Sequence, residues 1–406
     1  METALYEYPC LRPVEAIPDR PNGRVILRDP TQLAAGMLVV GEAEFTLLAL
    51  MDGSRGLMDI QKDYARQLGQ ILLSRELHGF LEQLAKAGFL AGPSFEAYYS
   101  RLAEEYTAST VRPLRDPDSY GAPARKLPAY LNGAMDEVAP GLEPGKGTLK
   151  GLVAPHLDYP RGMPCYSTAY ARLRGAAAPR RVVVLGTNHF GRSESVVATD
   201  KDFRTPWGVV PADRDFLSRL QAECRGNLMP YEMDHLREHS IELHAIWLHH
   251  VLGDRFRLVA ALCPDPTGPH GTAPREPGGV DLREFALALR ELIRRDPEPT
   301  LVIASADLSH VGQYFGDEEG LSESMLGRVR AADEAALAAV ARNDPEGLRD
   351  HMTGSGNETR WCSVGCLYAA MVALGEEAEP AAIRYHQAVT PEIENAVTCV
   401  SLAFYG

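Results

Sequence analysis

The sequence holds no apolar run near the ~18 residues that a membrane-spanning helix requires, so none is expected. The opening METALYEYPCLRPVEAIPDR has no basic stretch leading into an apolar one. No secretory signal is expected there, and the chain reads as cytoplasmic. Cations are in deficit: 41 Lys and Arg stand against 55 Asp and Glu, a formal charge of −14. A general nucleic-acid binder needs the opposite balance, so that class is excluded, though a local basic pocket is not. Cysteine is sparse and odd in number, seven residues (Cys10, Cys165, Cys224, Cys263, Cys362, Cys366, Cys399) with no CxxC pair. That pattern fits free thiols in a reducing compartment rather than a disulfide framework. No internal repeat or low-complexity tract is visible.

What is present is an ordinary globular balance, 45% hydrophobic and 24% charged over 406 residues. At ~150 residues per domain this is material for two or three domains. Residues 24–92 read as a small α+β module. RVILRDP and MLVV are strand-like, and GEAEFTLLALMDG and LMDIQKDYARQLG are helical. In SRELHGFLEQLAKAGFL, Leu77, Phe80, Leu81 and Leu84 recur at helical spacing, with Ser74 as the expected N-cap and Gly88 as the stop. Arg75 and Lys86 are balanced by Glu76 and Glu82, so this helix offers no basic face to DNA. FEAYYSRLAEEYTAS is expected as a connecting helix, followed by a loop, a helix and a linker up to residue 147.

From Leu149 the pattern changes. LKGLVA (149–154), RVVVLG (181–186), RLVAAL (257–262) and TLVIAS (300–305) are short, continuous apolar strands. DRDFLSRLQAEC, IELHAIWLHHVLG, DLREFALALRELIRRD and DEAALAAVARND are amphipathic helical segments between and after them. Strands apolar on both faces and separated by helices predict a partly parallel sheet covered on both sides. The final AVTCVSLAFYG is expected as a strand that closes it.

Three of these strands run straight into histidine-bearing loops: Pro155-His156-Leu157-Asp158, Thr187-Asn188-His189-Phe190 and Asp307-Leu308-Ser309-His310. Ligands of open α/β sheets bind beyond the carboxyl ends of the strands. Three imidazoles delivered there are placed to converge, and imidazole both binds borderline metals and works as a base near neutral pH. Asp158 and Asp307 could orient the rings. A single loop histidine usually only satisfies local hydrogen bonds; it is the repetition at one edge that argues for a site. His235 and His239 are four apart and would share a face on a helix, a zinc-compatible spacing, but HExxH is absent. Glu238-His239-Ser240 could instead open that helix, with Ser240 or a neighbour as its cap. His249 and His250 read as a solvated face. Cys366 reads as a small core residue. Cys362, at a helix start, is expected to have a lowered thiol pKa and could be a soft ligand or inert. The loop from Pro264 to Gly279 could form a lid.

Two resemblances follow from these residues. APHLDY, VVVLGTNHF, RTPWG (204–208), REHSIELH and IASADLSHVGQ occur in that order, and together they resemble the Memo family, also called AmmeMemoRadiSam system protein B. The likeness runs from about residue 112 to the end of the chain. It implies a fold like that of class III extradiol dioxygenases, a mixed sheet covered by helices with a non-haem metal at the strand ends. By motif, His156 and His189 match the family's metal-binding histidines, and His310 with Asp307 matches an acid/base position. His239, Glu242 and His244 match a pocket-lining segment, which Asp158 and Asn188 would join. The family's usual cysteine is displaced: an ungapped match puts Thr359 at its place, and Cys362 lies three residues on. Cys362, Thr359 or His310 would thus complete the metal set. The strand pair, the helix ending in LMDG and the FLEQLAKAGFL helix resemble PqqD-like peptide-recognition domains, which are winged-helix-like.

The expected organisation is therefore a peptide-recognition module over residues 1–95, a connecting helix and linker over 96–147 that includes the start of the Memo-like region, and a Memo-like metal-binding domain over 148–406. The leading functional expectation is a mononuclear Fe2+ oxidoreductase, with copper or zinc as other metals, acting with dioxygen on a small molecule or a peptide side chain. The N-terminal module would bring a peptide or protein partner; no nucleic acid and no membrane is expected. The alternative is a non-catalytic adaptor with a degenerate dioxygenase fold. A third reading is a zinc hydrolase built on His235 and His239.

Overall fold

The computed structural model describes residues 6–19, 22–29, 31–115 and 117–406. The chain divides into two compact units, 1–108 and 109–406. The first is built from β1 (Glu15–Asp19), β2 (Arg24–Arg28) and β3 (Met37–Val40), an antiparallel sheet in that order. Helices α1 (Glu42–Ala49), α2 (Leu57–Leu68), α3 (Ser74–Lys86) and α4 (Pro93–Ala108) follow. Leu27, Val40, Leu47, Ile60, Leu77, Leu81, Leu84 and Phe89 form its core. The sheet has three strands where two were expected, because Pro18 masks the strand character of EAIPD. Ser74 is not the N-cap of α3. Leu73 takes that place, and the Glu76 carboxylate accepts the Leu73 amide at 3.1 Å. Gly88 ends the helix as expected, with φ +80°.

The second unit opens with β4 (Val111–Arg112) and α5 (Leu127–Val138), then β5 (Leu149–Ala154), α6 (Tyr159–Arg174) and β6 (Arg181–Thr187). Next come β7 (Val197–Thr199), β8 (Asp202–Thr205), β9 (Gly208–Val210), α7 (Arg214–Glu223) and α8 (Glu242–Leu252). The remainder is β10 (Arg257–Cys263), α9 (Leu282–Arg295), β11 (Thr300–Ser305), β12 (Asp307–Val311), α10 (Glu323–Val340), α11 (Pro345–Gly354), α12 (Val364–Leu374), β13 (Glu379–Thr390) and β14 (Asn395–Tyr405). The stretch 96–147, expected to connect and to include the start of the second region, is shared: α4 closes the first unit, while Leu127, Leu131 and Met135 of α5 enter the core of the second.

The large sheet runs β12-β14-β5-β11-β6-β10-β7 in space, with β13 also paired to β14. β5, β11, β6 and β10 are mutually parallel, and β14 and β7 flank them antiparallel. Alternation explains the continuous apolar runs. Val183, Leu185, Val259, Val302 and Ala304 face one core, which includes residues of α7, α9 and α12. Val182, Val184, Leu258, Leu301 and Ile303 face the other, with α5, α6 and α8. β14 does not close the sheet as expected. It lies inside, between β13 on one side and β5 and β12 on the other, and is buried along its whole length. Helix α10 starts ten residues before the expected DEAALAAV segment, where Ser322 caps it by accepting the Met325 amide. Among the described residues no helix is long and apolar enough to cross a membrane.

Candidate metal centre

Parallel pairing sends the carboxyl ends of β5, β6, β10 and β11 to one edge of the sheet. His156 follows β5 by two residues and His189 follows β6 by two. Between those strands lies β11, so the two rings reach toward each other over its end. Their centroids are 4.9 Å apart and the planes stand at 83°. Adjacent strands are ~4.8 Å apart, so strands two places apart could not bring the backbones this close; the side chains close the gap.

The tautomers follow from the partners. Ser305, the last residue of β11, donates its hydroxyl proton to the Ser240 carbonyl at 2.6 Å. It must then accept from His156 Nδ1–H, 3.0 Å away, which leaves Nε2 as a bare lone pair. His189 Nδ1 lies 3.1 and 3.2 Å from the two Glu238 oxygens and donates to them, directing its Nε2 the other way. Cys362 Sγ lies 3.2 Å from His156 Nε2. Donor atoms of His156, His189 and Cys362 all lie within 4.8 Å of one another. A tetrahedral ion with metal–N of ~2.0 Å and metal–S of ~2.3 Å separates its ligands by roughly 3.5 Å, so the set fits a metal with small side-chain adjustment.

Glu238 is the organiser that the sequence did not single out. It is buried, and it accepts the amides of His189, His239 and Ser240, each at 2.8 Å, as well as the His189 ring. Burial alone would raise its pKa, but His189 and His239 beside it and these donors hold it well below the usual carboxylate range. Gly186 makes the approach possible: a Cβ there would lie 2.5 Å from Ser240 Oγ. His239 stacks on His189 at 4.9 Å, and its buried Nδ1 makes no hydrogen bond although Glu238 is 3.3 Å away. His189, Glu238 and His239 form a second group of donors within 4.8 Å.

Burial first, then the neighbouring imidazoles, pushes His156 well below 6.5. Burial likewise takes His239 to about 3. Both are neutral near pH 7, the state that binds metal. His189 behaves oppositely: burial opposes its charge, but Glu238 outweighs it and raises the pKa. The Cys362 thiol is raised by burial and by the Asp307 charge, not lowered by the helix start as expected. Its carbonyl is held by the Thr187 hydroxyl at 3.2 Å.

Asp307 accepts the His156 amide at 3.0 Å, its other oxygen is 3.6 Å from His156 Nε2, and burial raises it to about 7. It does not orient His310. The His310 Nδ1–H donates to the Leu308 and Arg360 carbonyls at 2.9 and 3.1 Å, and burial lowers the ring to about 4. The Thr359 carbonyl accepts the His310 amide at 2.8 Å, so Thr359 supports that loop and Cys362 faces the histidines. Asn188 donates to Ser193 O and Asp234 and, with His189, Cys263, His270, Trp361 and Cys362, lines a cavity of ≈ 300 Å³ under the Pro264–Gly279 loop. A larger cavity, ≈ 870 Å³, is lined by Val138, Arg172, Arg384 and Tyr405 and holds none of these histidines.

The remaining predicted residues lie elsewhere. Asp158 caps α6 through the Arg161 amide and pairs with the Arg161 guanidinium at 2.6 Å rather than orienting His156. Glu242 is buried against Arg112 and the Tyr120 hydroxyl and accepts the Arg115 amide. His244 sits in an aromatic cluster, with Tyr170 OH 2.7 Å from its Nδ1. His235 is in a 3-10 turn, not on a helix face with His239, and its Nε2 meets the Val197 carbonyl. Of Ser240 and its neighbours, it is Ile241 that stands at the N-cap of α8. His249 and His250 are half-buried, bound to Thr205 and Asn132, not a solvated face. Glu238 and Ser305 could have been found only as polar residues abutting a histidine or ending a buried strand at the same edge.

The sequence also matches known proteins. A family model described as Memo-like protein matches residues 117–403. A MEMO1 family protein of Aquifex aeolicus is 25% identical over 301 residues, covering 74% of this chain and 75% of its own. One from Thermus thermophilus is 29% identical over 303 residues, 73% and 83% of the two chains. One from Methanopyrus kandleri is 31% identical over 210 residues, 50% and 69%.

Proposed function

This chain belongs to the Memo-like protein family, and we propose that it is a mononuclear non-haem iron oxidoreductase of the AmmeMemoRadiSam system protein B type. The observation that carries this reading is the convergence of His156, with Nε2 bare, and His189, held through Nδ1 by Glu238, with the Cys362 thiol at a buried strand edge. Imidazole and thiolate suit iron, copper and zinc alike; the likeness to the dioxygenase fold favours Fe2+. Three protein donors leave coordination positions open, so a bound redox metal would supply a place where dioxygen and substrate meet. The protein's own contribution is to fix and protonate. Ser305 and Glu238 lock the two rings, as outer partners of metal ligands do. Asp307, near 7 by burial, can hold or release a proton beside His156, and His310, neutral with Nδ1 occupied, can accept one at Nε2. The ≈ 300 Å³ cavity limits the substrate to a small molecule or one inserted side chain.

A peptide partner for the N-terminal unit belongs to the same proposal. Strand β3 is an edge of its sheet, and Met37 and Val39 on it are 62% and 55% exposed. An unpaired edge bearing apolar side chains suits an added peptide strand. Titration with an extended peptide that leaves the β3 amide signals unshifted removes this part.

Metal analysis of anaerobically purified protein tests the centre, with His156→Ala and Cys362→Ala beside wild type. Iron at stoichiometric level, lost in both variants, is the expected result. Iron lost only with His156→Ala takes Cys362 out of the set in favour of His310. No transition metal in the wild type supports the non-catalytic adaptor instead.

A further inference from the structure

Behind the candidate centre, α6 and α8 press a set of aromatic residues together. Tyr166 and Tyr170 are one helical turn apart on α6, and His244 and Trp247 share a face of α8. Tyr170 and Trp247 stack at 4.8 Å with planes 9° apart, and Trp247 stacks on Tyr166 at 5.8 Å and 16°. Tyr166, Tyr170, His244 and Trp247 are fully buried. The Tyr166 hydroxyl donates to the carbonyl of Leu157, the residue after His156, at 3.1 Å. The Tyr170 hydroxyl lies 2.7 Å from His244 Nδ1.

Packing does not require this pair. Phe and Leu would fill the space without burying a hydroxyl and an imidazole, and such double replacements are close to neutral. The geometry is instead that of a phenol with a dedicated base. From it we infer that Tyr170 is a redox-active tyrosine whose proton acceptor is His244 Nδ1, with Trp247 and Tyr166 as its electronic path to the strand-end site.

The step balances as follows. A one-electron metal oxidant, in the test below a photogenerated ruthenium(III) polypyridyl that is reduced to ruthenium(II), removes one electron from Tyr170. The O–H proton crosses the 2.7 Å hydrogen bond to Nδ1. The products are a neutral phenoxyl and a His244 imidazolium. A one-electron donor such as a thiol reverses both movements. Burial holds His244 to about 3 and raises Tyr170 well above 10, so at rest the proton stays on the phenol. The oxidised phenol is a far stronger acid than the imidazolium, so the proton moves only when the electron does. The Pro155 backbone favours a proton on the His244 ring, and with the Tyr170 hydroxyl on Nδ1 a ring proton on Nε2 leaves Nδ1 as the acceptor. The biological use rests on the proposed redox centre; the chemistry of the pair does not.

The test uses full-length protein, as purified and as the His156→Ala variant, flashed with tris(bipyridyl)ruthenium and persulfate and frozen for high-field EPR. The expected result is a narrow tyrosyl signal with the g-values of a hydrogen-bonded phenoxyl. It should be lost in Tyr170→Phe, which removes one oxygen, and short-lived in His244→Gln. Its survival in His156→Ala shows that the radical site stands even if the metal reading fails. An unchanged narrow signal in Tyr170→Phe, or none in the wild type, overturns the inference. The g-values of the wild type report the hydrogen bond without relying on any variant's folding.

Discussion

Two regions of the second unit bury imidazoles, and they use them differently. At the strand edge, His156, His189 and His239 lie with ring centroids 4.9–5.5 Å apart. Between α6 and α8, His244 is as buried as His156 but has phenols and an indole for neighbours. Burial and residue type are therefore not what makes a metal site. What differs is the group on Nδ1. At the edge Ser305 and Glu238 occupy Nδ1 of two rings and turn the opposite nitrogens toward a thiol. Between the helices Tyr170 occupies Nδ1, and among the described residues His244 belongs to no cluster of metal donors.

The comparison can be broken most directly by deletion. His156→Ala is expected to abolish metal binding, while His244→Phe leaves metal content at the wild-type level; elemental analysis of both decides it. Buried charge away from the edge should affect stability and not metal. Arg181 and Asp213 form a buried pair at 2.7 Å. Breaking one side of an isolated buried pair costs about 3 kcal/mol; Arg181 keeps Asp296 and Glu298, so Asp213→Asn should lower the denaturation midpoint by less than that and leave metal binding intact. Burial opposes the Asp213 charge, but the Arg181 guanidinium and the Phe216 amide lower its folded pKa below 3.8. Its stabilisation is thus present above the unfolded value and lost as pH falls through the folded one, and the acid limb of a stability–pH curve should flatten in the variant. Glu238→Gln should do the reverse: a ~10–100-fold loss of metal affinity in chelator competition, as for other outer partners of metal ligands. Cys362 sharpens the same contrast through protons. Its raised thiol must deprotonate to bind, so affinity should rise with pH near neutrality and the dependence should weaken in Cys362→Ser. The smallest effect is expected between the helices. His244→Phe strands the Tyr170 hydroxyl at ~1–3 kcal/mol, and adding Tyr170→Phe should return most of it in denaturant titrations.

The parallel strands were legible because each is apolar on both faces, which leaves no other reading for LKGLVA or TLVIAS. The edge of the first sheet was not, since EAIPD carries a proline and charges. The depth of β14 was also hidden: AVTCVSLAFY is apolar enough for either an edge or an interior, and only its pairing with β5, β12 and β13 chooses. His156 and His189 could be found by their position just beyond buried strands. Glu238 and Ser305 could not, because each acts on a histidine 49 or 149 residues away. Glu242 and His244 were expected in the pocket because they share the REHSIELH motif with His239. One helical turn rotates them toward Arg112 and Tyr170 instead.

The sequence by itself determined that hydrophobic alternation would build a helix-covered, partly parallel sheet and that histidines would stand at its carboxyl edge. Short-range patterns of burial suffice for that, since they act through neighbours in the chain. Only the tertiary structure decided which nitrogen of each ring is bare, that Cys362 rather than Thr359 faces them, and that His244 answers to a phenol. Those outcomes depend on single hydrogen bonds between distant segments, whose directions are fixed only when the strands and helices have packed.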